Sequence, residues 1–181
     1  MLIYSAITSL DGYTADQEGK FGWGEPEDEV MGMINDLERP VGTYLYGRRM
    51  YEVMRYWEDT DLTGRSAATR EFAAIWRSAD KIVYSTSLPE AATARTRIER
   101  SFDQGAVRAL KQRGEVSIGG PTLAAHAIKA GLVDEYQLFV TPVIVGGGSP
   151  ALPLAARASL HLVDQRRFAG GFVFLRYRAQ A

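Results

Sequence analysis

The sequence predicts a single three-layer α/β/α domain whose mixed, mainly parallel sheet is closed by an antiparallel hairpin. Short apolar runs rich in β-formers alternate with stretches of helical period, the pattern of strands joined by helical crossovers and covered on both faces. The last two runs, over 160–168 and 172–178, meet through Gly170-Gly171 with no room for a crossover, so they read as an antiparallel pair. The length, 181 residues, is ordinary for one domain and short for two, and 1–181 is read as one unit. A domain of this size buries about 70% of the surface its unfolded chain exposes, so a core forms without covalent staples.

Residues 2–8 read as a buried strand, after which Ser9-Leu10-Asp11-Gly12 opens a long polar loop with further glycines at 19, 22 and 24. Such a loop is expected to be mobile. Pro26-Glu27-Asp28-Glu29 starts a helix with acidic side chains where the helix dipole favours them. Val30, Met33, Ile34 and Leu37 continue it at helical spacing, and Pro40 and Gly42 stop it. A strand at 43–46 runs into Gly47-Arg48-Arg49-Met50 and a helix through Tyr51, Met54 and Arg55; a second helix covers 67–76. Strands follow at 81–85, which ends in the polar turn Thr86-Ser87, and at 97–101. Asp103 caps a helix that runs to Arg113 and ends at Gly114. Residues 115–118 form a strand that enters Gly119-Gly120-Pro121-Thr122 and a helix ending at Gly131; 135–141 is another strand.

Composition excludes several functions. Basic and acidic residues number 21 and 22 and are mixed along the chain, which argues against a nucleic-acid partner. No cysteine is present, which removes disulfides, thiolate metal sites and the cysteine ligands of a zinc deaminase. The first residues lack a basic region and meet Asp11 early, and no apolar run approaches the roughly 18 residues a membrane span needs. A cytoplasmic protein with no membrane partner is expected. His126 and His161 have no ligand-spaced neighbours, so no metal site is expected, and neither a phosphate-binding G-x-x-x-x-G-K-[ST] nor a G-x-S-x-G elbow occurs.

Three strand ends carry the chemistry. Val116-Ser117-Ile118-Gly119-Gly120-Pro121-Thr122 delivers glycines to a helix start, with proline where a missing N–H costs nothing. Bare backbone and free helix N–H groups there suit an anion such as a pyrophosphate; a tight turn without a ligand is the other reading. Gly47-Arg48-Arg49 places guanidiniums, able to grip phosphate with two bonds each, at a second strand end, although solvated surface charge is the simpler account of either arginine alone. Ser85-Thr86-Ser87 offers hydroxyls at a third. Their convergence favours a dinucleotide in the crevice at the carboxyl ends of an open sheet. Trp23-Gly24-Glu25-Pro26-Glu27-Asp28 sets a carboxylate on a first helical turn beside an aromatic, where Asp28 could serve a ring nitrogen or simply complement the dipole.

The order Ser9-Leu10-Asp11-Gly12, Gly47-Arg48-Arg49-Met50-Tyr51-Glu52, Lys81-Ile82-Val83-Tyr84-Ser85, Ile118-Gly119-Gly120, Gly131-Leu132-Val133-Asp134-Glu135 and Thr141-Pro142-Val143-Ile144-Val145-Gly146-Gly147-Gly148 resembles the dihydrofolate-reductase-like superfamily. It is most similar to the branch typified by the C-terminal reductase domain of bifunctional riboflavin-biosynthesis proteins (RibD type), over nearly the whole chain. The resemblance implies a mixed sheet of about eight strands, NADPH across the strand ends, and hydride transfer to a pyrimidine- or pterin-like heterocycle. It places the pyrophosphate and nicotinamide near Ile118, Gly119, Gly120, Pro121 and Thr122. Gly47, Arg48 and Arg49 would meet phosphates, Ser85 and Thr86 would lie on the adenosine side, and Thr8, Asp11 and Gly12 would border the nicotinamide. Trp23, Pro26 and Asp28 repeat the W-x-x-P-x-D spacing of dihydrofolate reductases, whose acid assists protonation of the pterin; Asp28, with Trp23 and Asp11, is the expected catalytic set, Asp28 being buried beside Trp23.

Two departures bear on substrate. Met50 stands where Gly-Arg-x-Thr motifs carry threonine, and Ala79, with Arg77 nearby, stands where dihydrofolate reductases hold the folate tail with arginine. By resemblance the substrate is 5-amino-6-(5-phosphoribosylamino)uracil, in riboflavin biosynthesis; reduction of a dihydropterin or dihydrofolate, or cofactor binding without catalysis, are the alternatives. NADPH is expected to bind more tightly than NADH. A homodimer through the C-terminal sheet region is expected, because the apolar stretch 138–145 exceeds what one strand needs and two-fold pairing is the commonest assembly.

Overall fold

Period-two alternation sorts the strand side chains onto two buried faces, which is why one sheet supports three separate apolar clusters. The structure, a computed structural model, describes residues 1–180. In chain order it contains β1 (Leu2–Thr8), β2 (Tyr13–Ala15), a 3-10 turn (Gly22–Gly24), α1 (Asp28–Glu38), β3 (Val41–Gly47), α2 (Arg48–Met54), α3 (Tyr56–Asp59), α4 (Ala67–Ser78) and β4 (Asp80–Tyr84). There follow β5 (Thr96–Glu99), α5 (Gln104–Arg113), β6 (Glu115–Gly119), α6 (Pro121–Lys129), β7 (Glu135–Val140), β8 (Ser149–Pro150), β9 (Leu160–Arg167) and β10 (Val173–Ala179).

Eight strands form the main sheet in the order β5-β4-β3-β6-β1-β7-β10-β9. Every pairing from β5 to β7 is parallel, and β10 runs antiparallel to both β7 and β9. The expected mixed sheet and closing hairpin are therefore present. On one face Leu2, Tyr4, Leu45, Ile82, Val116, Ile118 and Tyr136 pack under Val107 of α5 and Leu123, Ala124 and Ala127 of α6. On the other, Tyr44, Tyr46 and Val83 meet Phe72 and Trp76 of α4, while Phe139 and Phe174 meet Val30 of α1. These are the three layers.

The local signals explain most boundaries. The Ser66 side chain accepts from Thr69 N to start α4, and Asp103 accepts from Gly105 N and Ala106 N to start α5, each relieving N–H groups a helix leaves unpaired. The amphipathic stripe of α1 follows the spacing of Val30 and Ile34, and Pro40 ends it. The β2–β8 ribbon and the short α3 carry no such mark. The ribbon also corrects the expected mobile loop: Tyr13 and Ala15 pair with Pro150 and Ser149, so the segment after β1 is tied to the segment after β7.

Candidate active site

Where adjacent strands send their chains to opposite sides, an open sheet leaves a crevice at their carboxyl ends. β3 leaves toward β4 and its neighbour β6 leaves, through α6, toward β7, so that crevice lies between Gly47 and Gly119. Gly47, Arg48 and Arg49, together with Gly119, Gly120, Pro121 and Thr122, therefore meet at one point, and β4 brings Ser85 and Thr86 to its flank. β1, on the other side of β6, ends there in Thr8.

The glycines have packing reasons of their own. A Cβ on Gly119 would stand 2.9 Å from the Tyr46 ring, and Gly120 caps α6 with φ +85, a conformation other residues rarely adopt. A Cβ on Gly120 would also stand 3.0 Å from Met50 Cβ. Met50, in the place of the usual threonine, thus packs on the glycine corner with an apolar side chain. What remains open is the α6 terminus itself: no side chain caps it, and Pro121 at the first position needs no partner. Ile118 is fully buried in the core, so only its backbone can face a ligand.

Arg48 donates to Glu52 Oε1 at 2.7 Å and to Ser87 Oγ at 2.9 Å, which orients its guanidinium along the β4 flank. Arg49 is exposed and makes no ion pair among the described residues. The Ser85 hydroxyl, expected to face a ligand, is buried instead and accepts from Ser87 N and Leu88 N, closing its own turn; Thr86 is exposed. Arg77, near the folate-tail position, donates to Trp57 O at 2.7 Å.

Around β1 the picture differs from expectation. Asp28 is exposed in the first turn of α1, not buried, and Trp23 Nε1 donates to Lys20 O at 3.1 Å. The loop bearing Trp23 nevertheless lies over the β1 end: a Cβ on Gly24 would approach Ile7 Cγ2 to 3.0 Å. Glu25 reaches Arg65 at 3.5 Å, so the same loop touches the segment before α4. Thr8 is buried and its carbonyl accepts from Thr141 N at 2.8 Å. Gly12 N donates to Ser9 O and its carbonyl accepts from Ala151 N. Asp11 directs both carboxylate oxygens at backbone N–H groups, Val145 at 3.1 Å and Gly146 at 2.8 Å. The Ser9 hydroxyl and these N–H groups hold its pKa below the ordinary carboxylate value, against a smaller opposing effect of desolvation.

Residue reading placed Ser87 among the strand-end hydroxyls but did not see that it and Glu52 hold Arg48, and it gave Thr141 no role. The Thr141 hydroxyl is buried and has no hydrogen-bond partner among the described residues, a costly condition that marks the β7 end beside Thr8. Its one signal was its place at the last position of the expected strand. No cluster of metal-ligating side chains occurs among the described residues, and no helix there is long and apolar enough to cross a membrane.

Sheet order, closing hairpin and crevice define a dihydrofolate-reductase-like fold. The chain belongs to the RibD C-terminal domain family, whose profile matches residues 1–174. It is 27% identical over 183 residues to the uncharacterized protein YyaP of Bacillus subtilis (strain 168), covering 97% of this chain and 93% of that one. Its fold matches a Shewanella sp. PV-4 protein assigned provisionally to riboflavin biosynthesis, with a TM-score of 0.77, 19% identity and 99% of each chain covered. Dihydrofolate reductase from Enterococcus faecalis, solved with NADP(H), matches with a TM-score of 0.66, 16% identity, and coverage of 100% of this chain and 97% of that one.

Proposed function

We propose that the chain is an NADPH-dependent reductase of a pyrimidine-like heterocycle, with 5-amino-6-(5-phosphoribosylamino)uracil as the first substrate to try. The observation that carries this reading is the meeting of Gly47-Arg48-Arg49 with the uncapped α6 terminus at the switch point. The residues fit the cofactor's phosphates: Arg49 is unpaired among the described residues, Arg48 is pre-oriented, and the α6 N–H groups face the crevice mouth. When bound, NADPH supplies the hydride. Arg48, Arg49 and Thr86 would hold the extra phosphate that separates it from NADH, while Thr8, Gly12 and the Thr141 hydroxyl border the reacting end. Asp28 would supply the proton that accompanies the hydride, to the opening ribosyl group of a ribosylaminouracil or to the ring nitrogen of a pterin, once substrate covers the mouth of the Trp23 loop.

A pterin substrate is the second reading, favoured by the Trp23, Pro26 and Asp28 spacing. The test is loss of NADPH absorbance against ribosylaminouracils and dihydropterins. Turnover with one of them is expected, and Asp28→Asn should lower it about 10²–10⁴-fold with NADPH affinity unchanged. NADPH binding with no turnover on any of them would leave a binding protein, and equal affinity for NADH would remove the arginine assignment. A homodimer is part of the same proposal. The face of β7 and β10 bearing Leu138, Leu175 and Tyr177 is only partly buried, and light scattering should return twice the chain mass.

A further inference from the structure

Two segments from opposite ends of the chain are laced together over the carboxyl ends of β1 and β7. Leu10 N donates to Val143 O at 2.7 Å, Thr14 Oγ1 to Ser149 O at 3.2 Å, and Ala151 N to Gly12 O at 2.9 Å, with the β2–β8 pairs between. Contact is close enough that a Cβ on Gly148 would collide with the Ala15 carbonyl oxygen. The lacing reaches the core, because Tyr4 Oη donates to Ala151 O at 2.6 Å from beneath. Every one of these bonds is neutral except those of Asp11, whose two oxygens take the consecutive N–H groups of Val145 and Gly146. Hydrogen bonds to an ionised acceptor are roughly twice as strong as neutral ones.

We infer that Asp11 is a positioning residue. Its carboxylate fixes the 143–148 strap against the β1 loop and so sets the wall beside Thr8 and Thr141. Asp11 is expected in the catalytic set by resemblance; its two oxygens are already committed to the strap, so it acts on a ligand through the strap. Asparagine cannot replace it, since its single carbonyl oxygen serves one N–H and its amide turns a donor toward the other. The consequence for ligand binding rests on the NADPH reading above; the strap itself does not.

Amide hydrogen exchange on the ligand-free protein tests the strap. In Asp11→Ala, exchange at Val145 and Gly146 should rise about tenfold or more while the sheet amides stay protected, with Asp11→Asn intermediate. Asp16→Asn is the control, because Asp16 accepts from Glu18 N and Lys20 N within its own loop and should loosen only those residues. Unchanged exchange at Val145 and Gly146 in Asp11→Ala, or a rise spread over the whole sheet, overturns the inference. NADPH titration then reads the functional half: the Asp11 variants should bind about tenfold more weakly, in step with exchange. A loosened strap with wild-type affinity overturns the positioning role. Failure of the wild-type protein to bind NADPH counts against the proposed function alone.

Discussion

Two glutamates lie buried on the same face of the sheet and are treated in opposite ways. Glu135, at the start of β7, is fully buried and gripped by Arg176 through Nε to Oε1 at 2.7 Å and Nη2 to Oε2 at 3.0 Å. Arg178 adds a contact at 3.2 Å and Gln137 another at 2.9 Å. Glu38, at the end of α1, is 7% exposed, and neither its Oε2 nor the nearby Tyr44 hydroxyl has a partner of good geometry among the described residues. Desolvation acts on both. At Glu38 it prevails over the Tyr44 hydroxyl and, with the Glu115 charge, lifts the pKa from 4.5 to about 7. At Glu135 desolvation is opposed by Arg176, Gln137 and Arg178, whose combined pull leaves the pKa below its ordinary value. Similar burial therefore ends in opposite shifts, and the presence or absence of partners makes the difference.

Removing the partner should turn the first case into the second. Arg176→Met would leave Glu135 with one half-exposed arginine, and a broken buried pair typically costs about 3–5 kcal/mol. Urea unfolding at pH 7 measures it, and the Glu135→Gln/Arg176→Met double variant should recover part of the loss.

Glu38 should impose a pH dependence of its own. The folded state holds its proton more tightly than the unfolded state, so this group favours folding most below pH 4.5. That contribution is lost as pH rises from 4.5 to about 7, and it stays lost above. Two and a half units correspond to about 3 kcal/mol. The difference between wild type and Glu38→Gln, followed across that window, should show it; a flat difference would mean that the carboxyl titrates alike in the folded and unfolded states. Glu135 gives the opposite sign, with its contribution present above 4.5 and lost as pH falls through its lowered pKa.

Arg178→Ala is the smallest effect. Its side chain is 54% exposed, and exposed pairs contribute about 0.2–1 kcal/mol. A loss near that of Arg176→Met would show that the two arginines act as one unit.

Much of the fold was legible because its signals are local. Asp103 caps α5 as its side chain predicts, Gly114 ends the helix at the expected position although in extended backbone, and the 2–8 strand ends at Thr8 as read. The crevice was legible for the same reason, since each strand end carries its own glycines or arginines. What escaped was anything set by distant partners. Asp11 could not be matched to Val145 and Gly146 from their spacing, nor could Ser85 be seen to turn inward onto Ser87 and Leu88. Asp28 was expected buried because a tryptophan stood nearby in sequence, yet the first turn of α1 faces out. The Gly119-Gly120 pair was read for a ligand, and part of its reason is the ring of Tyr46 and the side chain of Met50.

The place of β1 has a consequence for how the protein is made. It is made well before either of its neighbours and ends up in the middle of the sheet, where Leu2 faces Val116 and Ile3 faces Glu135. At about 5–20 residues per second, both neighbours of β1 arrive on the order of ten seconds later. During synthesis its apolar run has nothing to pair with, while β3, β4 and β5 can already assemble beside one another. β6 and β7 can then take β1 between them, before β10 and β9 extend the sheet on its other side. The start of β1 is held only once α5 and the turn after it are made, because Met1 N donates to the carbonyls of Lys111 and Gly114.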